Sequence, residues 1–291
     1  MTCPRANVSH RQVQWLLRLG LLLLGGTTAL AQTPLPPATP PGESASSNAG
    51  NQTAAKELKT LTDPTILKRR LWLETEWDKY NGGTHGVEET LGGLWAWQVA
   101  TNMDWGVRLK IPYEWRMSGG PGSAINQSGL GDLKLATGTA FRLRPAWRTV
   151  GALELRMPTA ADNLGGRDWR LQELGSLAWD ATPWLTLSPY FEYNQSLAEE
   201  GNARPQHYLE VYFPAIFLLP HHWSVTPQFE AKVDFQNNNR FVPSLRLQVA
   251  KKLDPWPLAV ALYVKKPFYS DPGDPGRKEF QVNLNITYFF R

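Results

Sequence analysis

The chain has 291 residues, 42% of them hydrophobic and 19% charged, with a mean hydropathy of −0.37 and a formal net charge of +4. This composition is too polar for a bundle of membrane helices, whereas the length suits one large domain such as an all-β barrel. Two counts are unusual: there are 13 tryptophans and a single cysteine.

Residues 1–31 are predicted to be a secretory signal peptide. Three arginines among the first 18 residues precede a short apolar run, Leu19–Leu24, and Ala29-Leu30-Ala31 forms a cleavage site before Gln32. The apolar run is too short for a membrane-spanning helix. A retained anchor is the alternative interpretation.

Loss of the signal peptide changes what the charge implies. The cleaved segment has three basic residues and no acidic one, so 27 basic and 26 acidic residues remain. This balance gives no support to nucleic acid as a partner. The only cysteine, Cys3, is removed as well, so we expect neither a disulfide nor a thiolate metal site. No metal and no cofactor are predicted, because the sequence has no P-loop and no dinucleotide fingerprint.

Residues 32–69 are predicted to be a flexible periplasmic segment. Residues 32–55 are rich in Pro, Ser, Ala and Gly and have almost no large apolar groups with which to form a core. Residues 56–69 are expected to form no more than a helical turn or two. No function is assigned to this segment.

From residue 70 onward the hydrophobic pattern has a period of two. In Trp105–Arg116 every second residue is apolar, and Trp223–Phe235 repeats the alternation. One face of each strand therefore meets an apolar environment and the other a polar one. These runs have about 11–13 residues, roughly twice the usual globular strand and enough for a tilted bilayer crossing. The predicted strands are 70–80, 89–100, 105–116, 131–143, 148–158, 169–179, 185–195, 207–218, 223–235, 241–252, 258–268 and 279–290.

Connection lengths alternate between these strands. Five connections are short, whereas most of the others, beginning with residues 81–88, are longer. Short periplasmic turns, longer outer loops and an even strand number are typical of bacterial outer-membrane barrels, and a soluble sandwich has no reason for them. We therefore predict an all-β fold over residues 70–291, an antiparallel transmembrane β-barrel of about twelve strands with both termini periplasmic. Its location would be the bacterial outer membrane, in contact with lipid and lipopolysaccharide.

Tryptophans accompany all five short turns. Tryptophan and tyrosine prefer the membrane–water interface, so an aromatic girdle at the periplasmic rim is predicted. The alternative, tryptophans scattered through a core, does not explain why they follow the turns. The five girdle residues are Trp105, Trp147, Trp184, Trp223 and Trp256.

The two ends of the barrel sequence are predicted to pair. A sheet exposed to lipid cannot leave backbone groups unpaired, so the first strand should close against the last. The last strand ends in Tyr288-Phe289-Phe290, followed by Arg291. Outer-membrane barrels commonly end in an aromatic residue that the barrel-assembly machinery reads, which makes this machinery an expected partner.

The inward faces of the strands carry many charges of both signs. Burial of so many charges in an apolar core would cost several kcal/mol each unless they were paired, so a hydrated or salt-bridged lumen is expected. A ladder of cross-strand salt bridges that supports the wall is the alternative to a pore lining. Whether the pore is open is left undecided. The predicted pore-lining residues are Arg108, Lys110, Glu114, Arg116, Asp132, Lys134, Arg142, Glu154, Arg156, Glu192, Glu210, Glu230, Lys232 and Arg246.

One short motif resembles a known family. Gly129-Leu130-Gly131-Asp132-Leu133 enters a strand after a Gly-rich loop, and a later strand ends in Met157-Pro158-Thr159 before a second Gly-containing loop. This arrangement resembles the GLGDL motif of outer-membrane barrels of the "MetA-pathway of phenol degradation" family. The resemblance implies a channel or transporter for small, often hydrophobic compounds, with Asp132 pointing inward at the strand entry. A plain turn and salt bridge at Asp132 is the alternative to a role in gating.

The predicted function is passive passage of small molecules, hydrophobic or aromatic ones included, through an outer-membrane channel. A structural or narrow, non-conducting barrel is the alternative. A lipid-modifying enzyme ranks third, because none of the histidines His85, His207, His221 and His222 lies in a His-x-x-Ser-Asn-Gly-like context. The chain is therefore predicted not to be an enzyme, and the transported substrate is not readable from the residues.

Overall fold

The computed structural model of the protein describes residues 45–81, 83–118, 127–160, 164–199, 205–268 and 278–290. The predicted signal peptide and residues 32–44 lie outside the described residues. The described residues form one α-helix, one short 3-10 turn at Pro220–His222 and fourteen strand segments. Their bounds are α1 Ala45–Lys59, β1 Arg70–Tyr80, β2 Thr84–Ala100, β3 Met103–Ser118, β4 Gln127–Leu130, β5 Leu133–Arg144, β6 Trp147–Met157, β7 Asp168–Thr182, β8 Leu185–Leu187, β9 Tyr190–Glu199, β10 His207–Leu219, β11 Trp223–Asp234, β12 Arg240–Leu253, β13 Leu258–Pro267 and β14 Lys278–Phe289.

The strands form one closed antiparallel barrel. Both β4 and β5 pair with β3 and act as one interrupted strand, and β8 and β9 together fill the place between β7 and β10. The fourteen segments therefore occupy twelve positions in the wall. The ring closes where β1 pairs with β14 over the register Arg70↔Phe289 to Asp78↔Gln281. This closure confirms the predicted twelve-stranded antiparallel barrel, in which every described strand except the short β4 pairs on both sides.

Most predicted strand bounds lie within a few residues of those in the structure, but three places differ. β4 precedes the predicted strand 131–143, the predicted strand 185–195 is divided into β8 and a β9 that ends at Glu199, and β2 starts early. β2 begins at Thr84, five residues before the predicted start, so the connection expected over residues 81–88 is much shorter. Gly86 and the acidic pair Glu88-Glu89 obscure the alternation there. Pairing on both sides, Trp77↔Val87 with β1 and Val87↔Trp115 with β3, nevertheless extends the strand. Tertiary pairing thus overrides weak local β propensity.

The two faces of the wall have opposite chemistry. Outward-facing leucines such as Leu73 and Leu91 are 46% and 54% exposed, whereas inward-facing Gln228 and Asn283 are 2% and 1% exposed. The apolar side chains therefore cover the outside of the barrel and the polar ones fill the lumen, the reverse of a soluble protein. Among the described residues, no helix combines the length and apolarity needed to cross a membrane.

The five short hairpin turns lie at one end of the barrel, which we call the short-turn end; the opposite end is the long-connection end. The start of β1 and the end of β14 are also at the short-turn end. All five predicted girdle tryptophans lie there, at or beside the turns, and several stack on neighbouring rings, as Trp147 does on Trp179 with centroids 5.5 Å apart. Their contact with a membrane interface, and the periplasmic side of this end, stay predictions.

The segment before the barrel differs from the flexible chain predicted over residues 32–69. Within its described part, α1 and the turns that follow it run to the first strand, and Leu58 packs against inward-facing Ala250 and Ala261. We call residues 52–69 the plug segment. Its composition is too polar for a core of its own, but the inner wall of the barrel provides the surface on which it packs.

Closure of the barrel can be tested with a cysteine pair. Thr75 of β1 lies opposite Leu284 of β14, so Thr75→Cys with Leu284→Cys should form a disulfide in oxidised membranes, since directly opposed residues are about 5 Å apart. Leu262 of β13 is one strand further round, about 10 Å from Thr75. Thr75→Cys with Leu262→Cys should therefore stay reduced. Equal cross-linking of the two pairs on denaturing gels would contradict the closed register.

Candidate functional site

The plug segment is anchored in the lumen by a buried carboxylate. Asp63 is 1% exposed and accepts hydrogen bonds from Arg148 Nη2 at 2.9 Å and from Ser188 Oγ at 2.9 Å. The backbone N–H and the hydroxyl of Thr65 donate to the same carboxylate. Loss of one partner of such a buried charge cluster costs about 3 kcal/mol or more. Asp63 is thus the principal polar attachment of the plug to β6 and to the residues between β8 and β9.

Further contacts join the plug segment to strands around the ring. Lys59 forms an ion pair with Asp180 of β7 at 2.7 Å, and Gln248 of β12 donates to Thr62 at 2.8 Å. Arg70 of β1 donates to the carbonyl of Thr60. These contacts hold the segment across the lumen rather than along one wall. Beside Ile66 and Leu67 the remaining cavity is about 70 Å³, whereas a cavity of about 510 Å³ lies between α1 and the turn at Pro220–His222. The plug segment therefore narrows the short-turn end without filling it.

Above the plug, charged side chains from several strands converge on the barrel axis. Arg108 of β3 reaches over β5 and donates to Glu154 of β6 at 2.7 Å. Glu74 of β1 and Glu192 of β9 also lie close enough to Arg108 to interact electrostatically. These strands are spread around the ring, so their side chains meet near the axis. We call the layer formed by Glu74, Arg108, Lys110, Glu154, Tyr190, Glu192, Tyr212 and Arg246 the constriction.

One wall of the constriction is acidic and aromatic. The rings of Tyr190 and Tyr212 stack with centroids 4.2 Å apart and an interplanar angle of 11°. The Tyr212 hydroxyl donates to Glu210 at 2.8 Å and lies 3.3 Å from Glu192. A single hydroxyl therefore links two carboxylates, and the stacked rings hold it in place.

Arg246 connects the constriction to the plug. Its guanidinium lies 3.7 Å from the centroid of the Tyr263 ring, a cation–π geometry, and it donates to Gln248 at 2.7 Å. Gln248 in turn donates to Thr62 of the plug segment. A displacement of the plug would therefore change the partners of a constriction side chain.

On the long-connection side of the constriction lies a cavity of about 360 Å³. Its charges are largely paired across the wall: Lys265 with Glu230 at 2.5 Å, and Lys278 with Asp78 at 2.6 Å. Lys232 instead lies 3.5 Å from the centroid of the Tyr208 ring. The lumen thus has three layers from the short-turn end, namely the plug, the constriction and this outer cavity.

Asp132 of the Gly-Leu-Gly-Asp-Leu motif holds the connection between β6 and β7. It is 1% exposed, pairs with Arg156 at 2.8 Å and accepts the N–H groups of Ala160 and Gly166 at 3.2 and 2.6 Å. Gly165 has φ = 64°, and a Cβ there would lie 2.6 Å from the Asp132 carboxylate. The motif therefore acts as a turn and salt-bridge anchor for this connection.

The fourteen predicted pore-lining residues separate into three groups. Asp132 is a buried anchor and not part of an open lining. Arg142 pairs with Asp104 at the rim of the short-turn end, and Arg116 is half exposed at the other rim. A pore-lining role for these three stays a prediction, and their positions show that alternation gives the face of a residue but not its height in the barrel. On the inward faces lie Arg108, Lys110, Glu114, Lys134, Glu154, Arg156, Glu192, Glu210, Glu230, Lys232 and Arg246.

Sequence reasoning missed two parts of the site. The inward tyrosines Tyr190 and Tyr212 share strand phase with Glu192 and Glu210, and that period of two would have placed them in the lumen. The plug contacts gave no local signal, because Asp63 and Arg148 are 85 residues apart.

Three of the histidines contact side chains other than a serine hydroxyl. His85 stacks on Trp77 with centroids 5.3 Å apart, His207 contacts the Tyr193 hydroxyl at 2.7 Å, and His222 contacts Asp254. In the described part of the chain, no cluster of three or more His, Cys, Asp or Glu side chains has the geometry to hold a metal ion.

Comparison with solved structures shows the fold of outer-membrane channels. The COG4313 outer membrane channel from Pseudomonas putida F1 has a TM-score of 0.65 at 14% identity, over 77% of this chain and 96% of that one. The NanC porin has a TM-score of 0.53 at 11% identity, over 76% and 100%. The CymD monoaromatic hydrocarbon channel has 0.51 at 7%, over 81% and 93%. No protein-family model matches the sequence, and no curated protein matches it.

At these identities the similarity establishes the fold and no substrate. Together with the apolar outer surface, a twelve-stranded barrel of this kind points to the bacterial outer membrane.

The anchoring role of Asp132 predicts a local effect of its removal. Asp132→Ala leaves Arg156 without its partner and frees two backbone N–H groups, at a cost of about 3 kcal/mol. Amide exchange at Ala160 and Gly166 should accelerate by about a hundredfold, measured by hydrogen–deuterium exchange. Asp104→Ala, which removes the partner of Arg142 at the rim of the short-turn end, is the matched control and should leave these amides unchanged. Unchanged exchange in Asp132→Ala would show that other contacts hold the connection.

Proposed function

We propose that the protein is an outer-membrane channel for the passive passage of small molecules. The observation that carries the proposal is the layered lumen: a charged constriction with a cavity of about 360 Å³ on one side, inside a closed barrel whose outer surface is apolar. Lipid and lipopolysaccharide would surround the apolar surface. The barrel-assembly machinery would recognise β14, on which Tyr288 and Phe290 remain exposed.

The charges of the lumen support a hydrated pathway. Desolvation of a charge costs several kcal/mol unless it is paired and hydrogen-bonded, and an apolar filling would be more stable than most of these pairs. Their retention supports a pathway wet enough to solvate them. Because both signs are present in the constriction, selectivity between simple cations and anions should be weak.

Two observations bear on the chemistry of the solute. The resemblance of the Gly-Leu-Gly-Asp-Leu segment to the "MetA-pathway of phenol degradation" family implies small, often hydrophobic compounds, and CymD, a channel of the same fold, is named for monoaromatic hydrocarbons. The stacked Tyr190 and Tyr212 offer an aromatic surface in the constriction. We therefore propose that the solutes are hydrophobic or aromatic and that the chain belongs to that family.

In this proposal the plug segment gates the channel. In the described conformation the plug segment is attached to strands on several sides of the short-turn end, so in this proposal free passage requires its displacement. The same observation favours the second candidate, a narrow barrel that never conducts. The two differ in what happens when the plug is released.

A reversible lock on the plug separates these candidates. Asp63→Cys with Ser188→Cys joins two short side chains whose oxygen atoms lie 2.9 Å apart. The oxidised protein should stay closed in planar bilayers. The substitution also removes the Asp63 carboxylate that Arg148 binds, so once the disulfide is reduced the plug lacks this anchor and conductance should exceed that of the wild type at least tenfold.

The control for the lock is a disulfide that leaves the plug free. Thr75→Cys with Leu284→Cys joins β1 to β14 in the wall and should conduct as the wild type does in either redox state. Conductance of the plug pair that is equal before and after reduction would contradict gating by the plug. A current that stays at baseline in both redox states would support the non-conducting barrel instead of the channel.

Charge reversal tests the lining of the constriction. Arg108→Glu with Lys110→Glu replaces two positive charges on one wall by two negative ones. The reversal potential in a KCl gradient should therefore move toward that of a cation-selective pore. Arg142→Glu, at the rim of the short-turn end, is the control and should shift the potential much less. An unchanged potential in the double variant would mean that β3 does not line the path.

A further inference from the structure

We infer that a row of basic side chains on the inner wall binds small dicarboxylates, molecules with two carboxylate groups separated by a few carbon atoms. The inference names a solute class for the proposed channel and so rests on the proposed function. It depends on the register of four neighbouring strands, which places four inward-facing cations side by side. We call these residues the basic row: Lys110 of β3, Lys134 of β5, Arg156 of β6 and Arg170 of β7.

The basic row is a product of strand pairing. Its members are directly opposed in sequence around the ring, as Lys110↔Lys134, Lys134↔Arg156 and Arg156↔Arg170. Directly opposed residues have Cβ atoms about 5 Å apart, and like charges in such positions destabilise a sheet. The near balance of charges over the whole lumen therefore hides a local concentration of positive charge. A sequence keeps an unfavourable arrangement of this kind mainly where function requires it.

The two lysines of the basic row are free to meet a ligand. Each arginine of the row pairs with an aspartate, Arg156 with Asp132 at 2.8 Å and Arg170 with Asp168 at 2.9 Å. In the described part of the chain, neither Lys110 nor Lys134 has a hydrogen bond or a carboxylate oxygen within 4.0 Å. Both side chains are half-buried, so they remain accessible from the lumen.

The wall around these lysines has an excess of positive charge. Glu154 accepts a hydrogen bond from Arg108 at 2.7 Å. The same carboxylate also attracts Lys110 and Lys134, with neither of which it forms an ion pair. Three positive charges on this part of the wall thus share one negative charge. A ligand with two negative charges would balance them.

The other carboxylate that attracts Lys110 belongs to a different wall. Glu74 lies on β1, where its carboxylate accepts a hydrogen bond from Asn283 Nδ2 at 2.6 Å. It also attracts Arg108 and Arg246. Because this carboxylate is shared among several donors, it compensates Lys110 only in part.

An unpaired donor beside the lysines points to the same ligand chemistry. Arg108 precedes Lys110 by two residues on the inward face of β3, and its Nε is buried with no hydrogen-bond acceptor among the described residues. A buried N–H without an acceptor costs free energy. An ionised carboxylate offers acceptor oxygens only, so a carboxylate bound at Lys110 is the group that would satisfy this N–H.

The basic row also gives a solute a path to the lysines. Arg170 lies two residues from the end of β7 at the long-connection end, and Arg156 lies one residue from that end of β6, whereas Lys110 is in the middle of β3. The row changes height because the strands of a barrel are tilted against its axis. A dicarboxylate could therefore reach the constriction from the long-connection end without passage through the plug.

Binding can be measured without conductance, which separates this inference from the proposed function. Calorimetric titration of the folded protein with succinate should give saturable binding that weakens with added salt, because the contacts are ionic. Acetate carries one of the two carboxylates and succinamide carries neither. Both should bind at least about tenfold more weakly, since a hydrogen bond to a charged group contributes this much. Equal affinity for acetate or succinamide, or no binding of succinate, would overturn the inference even if the channel conducts.

Two substitutions test whether the lysines hold the ligand. Lys110→Met and Lys134→Met should each weaken succinate binding at least about tenfold. Lys251→Met is the matched control, because Lys251 lies over the Trp223 ring on the outer face of β12 and its loss should leave the affinity unchanged. Each variant must keep the heat-dependent gel migration of a folded barrel, and the corresponding Lys→Gln variant replaces one that does not. Unchanged affinity in folded variants of both lysines would overturn the assignment to the basic row.

Discussion

Every other feature of this molecule depends on the backbone pairing between β1 and β14. With that seam closed, every described strand except the short β4 has a neighbour on each side, and a sheet in hydrocarbon requires such pairing. Closure also divides side chains strictly into an outer and an inner set, because the side-chain period of a strand is two. The polar residues then have no other place than the lumen. The constriction, the outer cavity and the inner surface on which the plug segment packs all follow from this division.

The lumen is organised by charge pairs that skip a strand. Arg108 reaches Glu154 over the small side chain of Ala136, which lies between them on β5. Such pairs narrow the lumen, since long side chains extend toward the axis instead of lying along the wall. Other inward charges interact with aromatic rings instead, as Lys232 does with Tyr208 and Arg246 with Tyr263.

Local pattern was enough to predict the wall but not its contents. The strand over residues 70–80 was predicted with the bounds that the structure has, because alternation over eleven residues is a property of the local sequence. The plug segment has no such signal: Thr62 meets Gln248 across 186 residues, and Asp63 meets Arg148 across 85. Its residues were predicted to be flexible since nothing nearby could bury them. The height of Arg142 in the barrel was likewise hidden, as it depends on the register and tilt of the strands.

In the function that we propose, the plug segment keeps the channel closed at rest and the constriction is its narrowest, charged layer. Single-channel recording of the pure wild-type protein in planar bilayers tests this account most directly. It predicts long closed periods interrupted by brief openings, with weak preference between K⁺ and Cl⁻ when open. A trace that stays at baseline, with many folded molecules inserted and over a wide voltage range, would contradict it and identify a barrel that does not conduct.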